Sequence, residues 1–362
     1  MQTLLGVLLI LTGPAFAETF CVQSSQDLSA ALIAAGNNGE ADDIKIAQGF
    51  YSVPTGGFLL THAEDFDVSI SGNWIELIDI PCGIQLSENA FNTVLDGGGT
   101  EQILRITLNN FGDIRISALF FTNAFITDDV IAARGGGLRI FSSPNYAGHV
   151  LIENNAFVNN TADFGAALSV GIGDLITIRN NLFTQNKSFQ CCSLELLSED
   201  AEGIYVINNT VYQNTHQGSG SGATEGLWIA VLGTSQALVA NNILWGNDFA
   251  DLELIGDGVT SLKNNNIGDV VGTASLSAKN FSVDPDFEPG VLNFTPAEGS
   301  LMINAGIEPL SFPIPVFGEN WSVGAADLEG DTRVQKGRVD IGAVESAWLD
   351  IIFMDGAEPQ QN

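Results

Sequence analysis

The side chains best placed to do chemistry stand in five short apolar segments. Leu138-Arg139-Ile140, Leu168-Ser169-Val170, Leu194-Glu195-Leu196, Leu227-Trp228-Ile229 and Leu252-Glu253-Leu254 alternate apolar residues with others. That is the period of a strand with one buried face. If the leucines enter a core, Arg139, Ser169, Glu195, Trp228 and Glu253 leave it together on the opposite face, in one row. A tryptophan between two carboxylates suggests carbohydrate chemistry, because indole offers a sugar a flat apolar face with a polar edge. With the segments stacked as neighbouring strands, Glu195 and Glu253 lie two strands apart, about 9.6 Å. An inverting glycosidase holds its acid and base roughly 6.5–9.5 Å apart. Glu195 and Glu253 are therefore the catalytic candidates, and Trp228, Arg139 and Ser169 the ligand-binding candidates. Solvated carboxylates on a strand are ordinary, which places binding ahead of catalysis.

The elements that must position this row announce themselves as a repeat. Asn154-Asn155, Asn180-Asn181, Asn208-Asn209, Asn241-Asn242 and Asn264-Asn265 recur at intervals of 26, 28, 33 and 23 residues. The first four are followed by an apolar residue and another Asn. An aliphatic strand precedes each pair, as in Val150-Leu151-Ile152 and Ile176-Thr177-Ile178. A unit of this size with about three short strands and no helical periodicity implies a stacked solenoid, a parallel β-helix with coils about 4.8 Å apart. Asn suits the bend because it tolerates the left-handed backbone region. Asn154, Asn180, Asn208, Asn241 and Asn264 are expected to stack as a structural amide ladder. Small residues precede the second strand (Gly135-Gly136-Gly137, Gly165-Ala166-Ala167, Cys191-Cys192-Ser193, Gly226), where the chain turns tightly against the coil below.

The net charge is −31 with only 12 basic residues, which excludes nucleic acid and anionic lipid as natural partners. No cofactor motif is present, and calcium, weakly held, is the one ion the acidity leaves room for. Residues 1–17 read as a signal peptide, with an apolar run from Leu4 to Leu11 and an A-x-A site at Ala15-Phe16-Ala17. No later segment is long enough to span a membrane as a helix. Export permits disulfides; Cys21 and Cys82, if bonded, close a loop of about 60 residues, worth roughly 4 kcal/mol in the chain-entropy model. Cys191 and Cys192 read as packed thiols or a strained vicinal pair rather than a metal site. The three histidines, His62, His149 and His216, lack ligand spacing.

On the Asn-Asn repeats and Thr93-Val94-Leu95-Asp96-Gly97-Gly98-Gly99, the chain resembles the right-handed parallel β-helix (pectin-lyase-like) superfamily. A C-terminal block narrows the resemblance to secreted bacterial proteins with a choice-of-anchor Q domain. That block comprises Asp284-Pro285-Asp286-Phe287, Gly299-Ser300 to Gly306, Asp327 to Arg333 and Val339-Asp340-Ile341-Gly342-Ala343-Val344-Glu345. Family members carry Pro after the serine, which Ser300 lacks. The resemblance implies a right-handed, all-β solenoid and export. It implies no single activity, since the superfamily hosts lyases, hydrolases and adhesins.

The expected organisation is a signal peptide (1–17), an N-terminal cap region (18–83) whose Gln26–Ala35 segment has helical spacing, β-helix coils (84–270), a C-terminal section (271–345) and a tail (346–362). Lyase chemistry is the weaker enzymatic reading. Arg179, its obvious base, falls beside Glu153 on one outward row, where a cross-strand ion pair explains it. Asp128-Asp129 near Arg139 is the other candidate cluster. Polygalacturonase-like Gly-His-Gly and Arg-Ile-Lys strings are absent, as are nucleotide, zinc-protease and serine-nucleophile motifs. The function expected is an exported extracellular, surface or periplasmic module that binds polysaccharide or serves structurally. The alternative is a carbohydrate-active enzyme, either a polysaccharide lyase or an inverting glycoside hydrolase.

Overall fold

The computed structural model describes residues 17–127, 133–144, 146–198, 203–218, 224–308 and 321–348. Its strands stack in parallel into three long sheets that share one interior, a parallel β-helix. The first sheet holds the strands that precede the Asn pairs, such as Val150–Glu153 and Ile176–Arg179. The second holds three-residue strands such as Ala156–Val158 and Leu182–Thr184. The third holds Leu138–Ser142, Leu168–Ile172, Leu194–Ser198, Leu227–Val231 and Leu252–Ile255. A short fourth sheet joins Thr161–Phe164, Lys187–Cys191 and Thr215–His216.

Each coil delivers alternate residues to the interior. Leu138, Leu168, Leu194, Leu227 and Leu252 are all fully buried in register. Along the second sheet Phe121, Phe157 and Phe183 stack with ring centroids 4.6 and 5.0 Å apart, the spacing of the coils themselves. The helix Ser25–Ala35 starts at Ser24, whose side chain accepts from the Asp27 amide, and buries Leu28, Ala31, Leu32 and Ala35 in the same core. The Cys21–Cys82 disulfide ties the first strand to the hairpin arm Ile80–Gln85.

The coils begin earlier than the 84–270 span read from the repeats. Asp42–Ala47, Gly49–Ser52 and Phe58–His62 already enter the three sheets, and Leu276–Ala278 extends the first sheet beyond residue 270. The early coils were hidden because their bend carries Asn73 and Ala118, both at positive φ, in place of an Asn pair.

The Asn pairs divide their labour, which corrects the expected ladder. Asn154, Asn180, Asn208, Asn241 and Asn264 occupy one bend with φ between +49° and +59°. Their side chains, however, mostly leave the coil stack; the one amide-to-amide contact among them is from Asn241 to Asn208, at 3.2 Å. The continuous ladder is built by the second residue of each pair, running Asn155, Asn181, Asn209, Asn242, Asn265 and Asn280, with Nδ2 to Oδ1 distances of 3.0–3.2 Å. A parallel ladder runs through Asn160, Asn186, Asn214 and Asn247 and ends on Asp251. The left-handed residue turns the chain, and the residue after it points inward, where an amide must find partners.

The first residues of the pairs instead grip the C-terminal section. Asn154 and Asn180 donate to Ala326 O, Asn208 to Asp340 O, Asn241 to Ile307 O and Asn264 to Ala305 O. This section folds back along the bend between the first and second sheets and covers Ile207, Leu238, Leu182 and Ile243 with Trp321, Val339, Leu328 and Ile341. The residues that carried the C-terminal resemblance form its buried polar knot. Asp340 accepts from the amides of Asn304 and Ser346, Asp327 from those of Glu329, Asp331 and Glu345, and Arg333 donates to the carbonyls of Asp340 and Gly342. Burial pushes Glu345 up to about 8, against the attraction of Arg333.

Candidate functional site

Strand pairing brings the five sequence-derived candidates side by side. Arg139 pairs with Ser169, Ser169 with Glu195, Glu195 with Trp228 and Trp228 with Glu253, all on the outer face of the third sheet. Arg105 continues the row below Arg139. Two residues further along the same strands lies a second outer row, which sequence reasoning missed: Thr107, Phe141, Gly171, Leu197, Ala230 and Ile255. The signal was available, since the same alternation carried two residues on yields it.

Together the two rows shape a trough along Leu168–Ile172. Its floor is Ser169, Gly171 and, just past the strand, Gly173. One wall is Arg139 and Phe141, the other Glu195 and Leu197. The walls belong to strands two spacings apart, about 9.6 Å. Two cavities of about 330 and 370 Å³ adjoin here and share Gly171 and Leu197. The first is lined by Arg134, Arg139, Ser169, Glu195 and Trp228, the second by Ser142, Ser143, Pro144 and Gly173. The trough therefore crosses the solenoid axis, with a charged end and an uncharged end. Each cavity is of the size that small-molecule sites use.

Arg134, also missed from sequence, closes the charged end. Its guanidinium pairs with Glu195 Oε1 and lies 4.4 Å from the Phe164 ring centroid. Ser169 donates to the other Glu195 oxygen at 2.7 Å. Both oxygens of Glu195 are thus engaged. The Arg139 guanidinium sits 4.9 Å from the Phe141 ring, and burial, then Arg134 and Arg105, lower its affinity for a proton. Neither Arg105 nor Arg139 pairs with a carboxylate among the described residues. Trp228 is partly exposed between Glu195 and Glu253. Burial raises the pKa of Glu253, whose Oε2 has no hydrogen-bond partner.

The other candidates fall elsewhere. Arg179 is bound to Glu153 at 2.6 Å, and Arg115 bridges the same carboxylate to Glu88. The two arginines hold Glu153 below the usual carboxylate range despite its burial. Asp128-Asp129 lie outside the described residues, as do residues 1–16 of the expected signal peptide and most of the tail. Cys191 and Cys192 are joined as a vicinal pair, with Cys192 at φ +57° where the coils below have Gly135 and Gly165. Among the described residues no group of three or more acidic, His or Cys side chains is arranged to hold a metal, and no helix is long and apolar enough to cross a membrane.

Comparison of the chain with models of known families, with curated proteins and with solved structures finds no match.

Proposed function

We propose that this protein is an exported polysaccharide-binding module whose site is the trough on the third sheet. Within that reading the chain belongs with the right-handed, pectin-lyase-like β-helices of the choice-of-anchor Q type. The buried knot formed by Asp327, Arg333, Asp340 and Glu345 supports that placement, because it gives the C-terminal block a structural reason to exist. The Cys21–Cys82 disulfide fits an oxidising compartment.

The observation that carries the binding reading is Trp228, partly exposed in a row that also holds Arg139 and Ser169 and lines a cavity of about 330 Å³. A sugar ring can stack on the indole while its hydroxyls reach the charged neighbours. Among the described residues Arg105 and Arg139 have no acidic partner, in a chain of net charge −31, which favours a glycan bearing carboxylate or sulfate groups. Hydrolysis is less well supported. Trp228 stands between Glu195 and Glu253, where a scissile bond would have to sit, and Glu195 is held by Arg134 and Ser169.

A glycan array with wild-type protein and Trp228→Ala tests the reading, followed by reducing-sugar and unsaturated-uronide assays on every glycan bound. Binding lost in Trp228→Ala with no product released is the expected result. Product released by wild type and lost in Glu195→Gln or Glu253→Gln would replace the module with a hydrolase or lyase.

A further inference from the structure

Gly171 is a glycine that the fold does not require. Its φ lies outside the left-handed region, and a Cβ built on it meets nothing within 4 Å. The glycines before the strand on the coil below are different: a Cβ on Gly136 or Gly137 would come within 2.8 Å of backbone oxygens of the next coil. Gly165, at φ +54°, is needed for its conformation. Gly171 instead sits at the fourth of five positions in its strand, flanked in register by Phe141 and Leu197. A side chain there would strengthen the strand and cover the outer face, so its absence weakens the element that carries it. Close approach of a ligand to the backbone is one of the reasons a strand keeps such a glycine.

A second observation on the same face points to a ligand: Trp228, partly exposed, lines the same cavity as Gly171. Glu253, next to Trp228, is only 7 % exposed, and its Oε2 has no hydrogen-bond partner. That oxygen is enclosed and does not line the trough, so it is not itself a ligand contact.

We propose that Gly171 is the specificity-determining residue of the trough. It leaves a gap between Phe141 and Leu197 that seats one ring of an unbranched polysaccharide by its apolar C–H face, while a unit further along the polysaccharide stacks on Trp228. The inference rests on the polysaccharide reading of the site. It adds that affinity depends on the ring over Gly171 lying close to the backbone, so a substituent on the ring face turned to the floor weakens binding by holding the ring away.

The test is a graded series, Gly171→Ala, Gly171→Val and Gly171→Phe, with Trp228→Ala as the reference. Probes are pectate, alginate and xylan, each in unbranched and in acetylated or branched form, with melting temperature recorded for every variant. The expected result is a melting temperature unchanged or raised while affinity falls stepwise, at least tenfold for Gly171→Phe. Wild type should bind the unsubstituted form at least tenfold more tightly than the substituted one. If Gly171→Phe fails to fold, Gly171→Val carries the test, since a β-branched residue suits a strand. Binding that Trp228→Ala abolishes but a folded Gly171→Phe or Gly171→Val retains overturns this inference and leaves the binding module standing. Wild type that binds none of the probes overturns both.

Discussion

Replacing Asn209 by Leu should break the inner amide ladder at its centre. The Asn209 side chain is fully buried and makes five hydrogen bonds. Its Nδ2 donates to Ile178 O at 2.8 Å, Ile207 O at 3.1 Å and Asn242 Oδ1 at 3.0 Å. Its Oδ1 accepts from both the backbone N and the Nδ2 of Asn181 at 3.0 Å. Leucine has the same branching with bulkier methyls, so overpacking adds to a loss that is chiefly polar. The Asn181 amide is left buried without an acceptor, which costs about 1–3 kcal/mol. The other bonds contribute about 0.5–1.5 kcal/mol each, though Asn181 Nδ2 keeps Ile152 O and Arg179 O and is largely compensated. The expected loss is about 3–6 kcal/mol, a large share of a typical domain's stability. Asn208→Gly is the matched control. Glycine accepts φ +54° without strain, and only the bonds to Asp340 O, Gly342 O and Asn241 disappear. Urea unfolding followed by circular dichroism measures both. A loss below about 1 kcal/mol in Asn209→Leu, or a larger loss in Asn208→Gly, would refute the division of labour between the two residues of each pair.

Non-reducing peptide mapping should recover Cys21 linked to Cys82, whose Cα atoms are 5.6 Å apart; Cys21→Ala with Cys82→Ala should cost about 4 kcal/mol for a loop of this length. Glu345 titrates at about 8 in the folded chain against 4.5 for the free group, so the folded state binds more protons between those values. Its contribution to stability therefore falls as pH rises through that window. Hydrogen exchange in residues 321–348 should speed up from pH 5 to pH 9, and Glu345→Gln should flatten that slope; a rate that falls with pH, beyond intrinsic exchange, would contradict the sign. Glu153 behaves oppositely, because Arg179 and Arg115 depress its pKa and the stability it supplies is lost only as pH drops through the folded value. Acid unfolding should accordingly begin at higher pH in Arg179→Ala than in wild type.

Much of this architecture was legible because side-chain period and backbone conformation are local properties. The alternation around Leu168 and Leu194 placed Ser169 and Glu195 outside, and the pairing of the strands aligned them. The Asn pairs located the bends, since few other residues accept the left-handed region. Which Asn turned inward was not legible, because that depends on the backbone direction after the bend. Coils bent at Ala118 escaped detection, as alanine carries no such preference. The trough itself was only half visible. Arg134 reaches Glu195 across 61 residues of chain, and Gly171 is a feature by what it lacks. The C-terminal block was recognisable as a string, while its role as a buried knot over the Asn row required long-range contacts such as Asn154 to Asp327.

The most direct test of the proposed site is affinity electrophoresis of wild type, Trp228→Ala and Arg139→Ala in gels containing alginate, pectate or neutral xylan. Wild type should be retarded by at least one anionic polysaccharide. Trp228→Ala should migrate as in an empty gel, since base-rate losses for removing an aromatic anchor are about 2 kcal/mol or more, at least twentyfold in affinity. Arg139→Ala should lose retardation by the anionic gels while keeping its fold. Equal mobility of wild type and Trp228→Ala in every gel would contradict the claim that the third sheet's outer face binds polysaccharide.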